Sequence, residues 1–155
     1  MKQGLLLSLL LLGPAVQAEQ DKVYLLATAG LSASTMAQTV FLHEPDITDL
    51  AGCQEALRQG QRDGDWLKYH HILRKDKMKG FTVQMQYRCV TSAQEIEPWY
   101  ERSRYDHAYL VGVDEASRLN VQPMDTMAAC MGVYRSLSAE QQASKHCTKG
   151  NQRVR

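Results

Sequence analysis

Histidines, carboxylates, cysteines and hydroxyls are the groups in this chain that could do chemistry, and their spacing narrows what that chemistry is. His43 and Glu44 stand together in His43-Glu44-Pro45-Asp46, where an imidazole and a carboxylate could share a metal ion. His71 and His107 are the remaining candidate ligands. His70 and His71 are neighbours in an alternating run, so they point to opposite faces of a strand and do not share an ion. No His-x-x-x-His pair places two ligands on one helix face. The same local chemistry also fits simpler roles. Residues 43–46 read as a strand end followed by a helix cap, and His71, between Tyr69 and Leu73, reads as a hydrogen-bonded histidine on an apolar face.

Nucleophilic and phosphate chemistry find less support. A serine hydrolase holds its nucleophile on a tight turn, and Gly-x-Ser-x-Gly is absent; Ser32 and Ser34 lie in a small-residue loop. Glu95 and Glu97 form a carboxylate pair, but sequence spacing does not set glycosidase geometry, and a solvated loop face explains them. Gly60 and Gly64 lack the Lys-Ser/Thr of a phosphate-binding loop. Met124, Met127 and Met131 offer thioethers suited to Cu(I), yet their helical spacing reads as core packing. No catalytic residue and no cofactor is assigned on these grounds. Lys75, Lys77 and Lys79 form a candidate contact for an anionic surface; at a hairpin tip they also keep the turn soluble and discourage strand addition.

The four cysteines are Cys53, Cys89, Cys130 and Cys147. They lack both Cys-x-x-Cys and the short paired spacing of zinc sites, so structural disulfides are expected. That expectation requires an oxidising compartment. The N-terminus supplies one. Lys2, the apolar run Leu5–Leu12, the Gly13-Pro14 break and Ala15-Val16-Gln17-Ala18 follow the order of a secretory signal peptide over residues 1–18. The run is too short to span a bilayer, and no later stretch is long and apolar enough. Loss of Lys2 with the leader takes the formal charge from +1 to zero. A neutral chain has little long-range pull toward nucleic acid.

Several elements must hold these groups in place. Lys22–Thr28 and Thr39–His43 read as extended segments. Asp46 is placed to cap a helix whose stripe is Ile47, Leu50, Cys53 and Leu57, ending at Gly60–Gly64. Alternation over residues 66–74 and 81–89 predicts a hairpin with odd positions inward, cleaner in the second run than in the first, where Trp66 and Ile72 fall on the outer face. Cys89 then faces the helix that carries Cys53, which favours Cys53–Cys89 and leaves Cys130–Cys147. Ala108–Val113 reads as a strand buried on both faces. Pro123 is placed at the start of a second helix bearing Met124, Met127, Ala128, Met131 and Tyr134.

These elements predict an α+β fold: a two-layer antiparallel sheet with two helices on one face, compatible with a ferredoxin-like unit. One disulfide-stapled domain over residues 19–147 is expected, followed by a flexible basic tail over 148–155. The functional expectation is a small exported protein, periplasmic rather than extracellular, that binds an envelope protein or an anionic polymer without catalysis. The alternative is an enzyme, or a small-ligand or metal-binding protein, with a site assembled from scattered His and Glu residues. Convergence of His43, Glu44, His71 and His107 in one pocket would favour that alternative.

Overall fold

A computed structural model describes residues 20–31, 37–63, 83–100 and 104–155. The elements in chain order are β1 (Lys22–Leu31), β2 (Ala37–Leu42), α1 (Leu50–Asp63), β3 (Val83–Ser92), β4 (His107–Val113), β5 (Leu119–Met124), α2 (Met127–Ser136), α3 (Ala139–Ser144) and β6 (Lys145–Gly150). The fold is mixed α+β, built on one six-stranded sheet in the order β3-β1-β2-β6-β4-β5.

That sheet is neither purely antiparallel nor ferredoxin-like, in contrast to the sequence expectation. β2 and β6 are parallel neighbours, joined at Gln38 and Lys149, while the other pairs are antiparallel. The sheet curls into a half-barrel. Its two edge strands approach one another where Thr91 bridges Arg118 and the Thr91 N–H donates to the Ser117 carbonyl at 2.9 Å. Strand twist supplies the curl, because each strand rotates relative to the last.

Register decides which residues fill the concave side. Tyr24, Leu26, Phe41, Val90, Tyr109, Val111 and Val121 come from strands far apart in the sheet, yet they form one buried cluster with Ile96 and Val154. The intervening positions face outward and are covered by helices. α1 packs Cys53, Leu50 and Leu57 on Val23, Leu25 and Cys89, and α2 packs on Leu110 and Cys147. Each helix is stapled to the convex face by a disulfide: Cys53–Cys89 and Cys130–Cys147, both with Cα atoms 5.9 Å apart.

The helix ends follow local polar chemistry. Asp49, rather than Asp46, caps α1: its Oδ1 accepts from the Gly52 N–H at 2.7 Å. Asp46 instead lies in the turn that brings the Ile47 N–H to the Glu44 carbonyl. Thr126 caps α2 through the Ala129 N–H, and Ser138 with Gln141 forms a capping box on α3. Pro123 does not open a helix; it lies in β5, an edge strand where a missing N–H costs little.

Two glutamine amides complete the backbone pairing. Gln94 donates to the Val121 carbonyl at 2.8 Å and accepts from the Val121 N–H at 2.7 Å, closing part of the β5 edge. Gln152 does the same for Phe41 on β2, beyond the point where β6 ends. Residues 148–155 are therefore not a flexible tail. Thr148, Asn151, Gln152 and Val154 are buried: the Thr148 hydroxyl bonds that of Thr39, the Asn151 amide donates to the Tyr100 carbonyl, and Gln152 bonds the Phe41 backbone.

The first half of the expected hairpin (66–74) and the leader (1–18) lie outside the described residues.

Candidate functional site

One end of the half-barrel opens into a cleft of about 500 Å³. Three stretches of chain build it: the start of β1, the end of β2 with His43 and Glu44, and a two-stranded ribbon formed by residues 95–97 and 153–155. The ribbon is antiparallel. The Glu95 and Arg155 N–H groups each donate to the other residue's carbonyl, and the Glu97 N–H donates to the Arg153 carbonyl at 2.9 Å.

The ribbon's sequence explains its geometry. Glu95-Ile96-Glu97 lies against Arg153-Val154-Arg155. Side chains alternate across a strand, so the two apolar residues turn into the core and the four charged ones turn away from it. Carboxylates on one strand then stand opposite guanidiniums on the other, an arrangement that stabilises cross-strand pairs. The Glu97 carboxylate also accepts from the Arg153 N–H at 3.1 Å.

Charge around the cleft is balanced. Glu44, Glu95 and Glu97 line it together with Lys22, Arg153 and Arg155, beside apolar surface from Ile96, Pro98 and the aromatic rings of Tyr24, Phe41 and Trp99. Tyr24 is held in place at both ends: its ring lies 5.3 Å from the His43 ring, and its hydroxyl bonds the Ile96 backbone. Burial raises the Tyr24 pKa, so the phenol stays protonated at neutral pH.

His43 is tied down as well. Its Nδ1 lies 2.8 Å from the Val23 carbonyl. A carbonyl only accepts, so Nδ1 is the donor in this bond and the ring's orientation is fixed.

Of the sequence-derived ligand candidates, His43 and Glu44 share this cleft. His107 does not line it. It sits on β4 beside Tyr109 and pairs with Asp106, 3.6 Å away. His71 lies outside the described residues, as do Lys75, Lys77 and Lys79. Among the described residues, no group of three or more His, Cys, Asp or Glu side chains is placed to hold a metal ion. Glu95 and Glu97 lie in the cleft as part of the ribbon rather than on a loop face.

Lys22, Arg153 and Arg155 are site residues that sequence reasoning passed over. A signal for the arginines was present: an apolar residue between two acids and another between two bases are complementary when paired antiparallel.

Fold and site together define a disulfide-stapled α+β domain, a curled sheet with a charge-balanced cleft at one end. No protein-family model, curated protein or solved structure matches the chain. Among the described residues no helix is long and apolar enough to cross a membrane.

Proposed function

We propose that this chain is an exported, non-catalytic binding domain of the bacterial cell envelope, acting in the periplasm, and that the cleft beside the Glu95–Glu97 ribbon grips a segment of a partner polypeptide. The observation that carries this reading is the cleft's composition: three carboxylates and three permanent cations around an apolar, aromatic floor. Its volume is in the range of ligand-binding clefts. Balanced charge suits a partner with side chains of both signs, since complementary charges set register and reject wrong partners. An anionic polymer is the weaker partner, because Glu44, Glu95 and Glu97 would repel it.

Export rests on the leader pattern of residues 1–18 and on two disulfides, which persist in oxidising compartments. The exported form should begin at Glu19 by intact mass; retention of Met1 in that form contradicts export by this leader.

The binding reading is tested by charge reversal. Arg153→Glu with Arg155→Glu should abolish capture of a protease-sensitive partner from an envelope extract. Arg58→Glu, on the exposed face of α1, should leave capture intact. Equal capture by both variants contradicts the cleft as the binding surface.

A further inference from the structure

At the opposite end of the half-barrel lies a second cavity, of about 280 Å³. Its walls are Leu26 and Thr28 on β1, Gln86 and Arg88 on β3, Val113 at the end of β4 and His146 on β6. Sequence alternation reads Gln86 and Arg88 as a solvent-facing pair. Both are exposed, and register places them at the rim of the concave side, opposite Thr28 and Leu26.

Among the described residues lining this cavity, none is acidic. Arg88 Nη2 donates to the Asp114 carbonyl at 3.2 Å, and its charge has no carboxylate partner among the described residues. The nearby Asp114 carboxylate is occupied by the Arg118 backbone N–H and guanidinium. Lys145 also borders the cavity, but its aliphatic chain lies across Gly112 on the convex face. Arg88 thus brings the permanent charge.

Hydroxyls supply a second donor. Thr28 Oγ1 lies 3.3 Å from Thr39 Oγ1, which lies 2.7 Å from Thr148 Oγ1. Each hydroxyl has one proton to give. If Thr148 donates to Thr39 and Thr39 donates to Thr28, the Thr28 proton is left for the cavity. The chain of hydroxyls can therefore present a donor at the wall. Gln86 adds an amide, while Leu26 and Val113 provide an apolar flank.

We infer that this cavity binds a small organic anion, its oxyanion head held by Arg88, Thr28 and Gln86 and its short apolar stem laid against Leu26 and Val113. A guanidinium fork matches the planar or tetrahedral oxygens of carboxylate and phosphate, and the surrounding neutral donors add geometry. The site is independent of the cleft, since the two share no residue.

The test is titration of the disulfide-bonded protein with butyrate, inorganic phosphate and butyramide, followed by backbone amide NMR. Butyrate or phosphate should give saturable shifts confined to Thr28, Gln86, Arg88 and His146, and butyramide should not. Saturation by phosphate alone assigns the head as phosphate; saturation by butyrate alone assigns it as carboxylate. Arg88→Gln should weaken the anion by about tenfold, the loss of one charge-assisted contact. Thr28→Val should weaken it less, and Arg58→Gln, on the exposed face of α1, should leave it unchanged. A preserved amide spectrum shows that each variant is folded. Saturation by butyramide equal to butyrate, shifts centred elsewhere, unchanged affinity in Arg88→Gln, or no saturation by either anion overturns the proposal.

Discussion

The side-chain amide of Gln152 stands in for a strand beside Phe41: its Oε1 accepts from the Phe41 N–H and its Nε2 donates to the Phe41 carbonyl, both at 2.8 Å. The same Nε2 lies 2.7 Å from the Glu97 carbonyl, and the Gln152 carbonyl accepts from the Tyr109 hydroxyl at 2.6 Å. One residue therefore joins β2, the cleft ribbon and β4. Gln152 and Phe41 are each 1% exposed, so water is no alternative partner for the bonds between them.

Replacement by alanine leaves the Phe41 N–H and carbonyl buried without partners. Each buried group left unpaired costs about 1–3 kcal/mol, so Gln152→Ala should lower unfolding stability by about 3 kcal/mol in urea titration, after some relaxation. A loss below about 1 kcal/mol, the size of one ordinary hydrogen bond, would contradict this role.

The disulfides differ in the loops they close. Cys53–Cys89 spans 36 residues and Cys130–Cys147 spans 17. Loop-closure entropy grows slowly with length, so roughly doubling the loop adds about 0.6 kcal/mol. Replacing Cys53 and Cys89 together by alanine should therefore destabilise the protein more than the same change at Cys130 and Cys147. The opposite order in matched denaturant titrations would show that packing around α2 outweighs chain entropy.

His146 sets an acid limit. Burial lowers its pKa from the ordinary 6.5, so the folded protein keeps the ring neutral. As pH falls through about 6.5 the unfolded chain takes up this proton first. Unfolded molecules then bind more protons than folded ones, and stability falls with pH. This contribution is complete above the unfolded pKa and is lost as pH drops toward the lower folded value. Asp114, held low by the Arg118 backbone N–H, acts in the same sense but in a separate window below 3.8. His146→Gln should flatten the slope of unfolding free energy between about pH 7 and pH 5. An unchanged slope would contradict the assignment.

Much of the α1 side of the fold was legible from period and compartment. The alternation through Tyr87 and Cys89, set beside the stripe through Cys53 and Leu57, is enough to bring the two cysteines together. The continuous apolar run Ala108–Val113 likewise marks β4, which is buried on both faces. The C-terminal half was harder. β5 carries Pro123, which reads as a helix start, and β6 is Lys-His-Cys-Thr-Lys-Gly, whose buried members Cys147, Thr148 and Gly150 include no large apolar side chain. Thr148 is buried because Thr39 satisfies it, a long-range contact that no local pattern announces. The same reason hid Arg153 and Arg155: a polar ending reads as fraying until Gln152 and Val154 are seen to anchor it.

The cleft itself is tested most directly by crosslinking from within it. A photoreactive amino acid placed at Glu44 or Arg155 should form a covalent adduct with a partner polypeptide in intact cells, and one placed at Gln54, on the exposed face of α1, should not. Mass spectrometry of the adduct should return the same partner segment from both cleft positions. Adducts of equal yield from Gln54, or different partners from Glu44 and Arg155, would contradict the cleft as the binding surface.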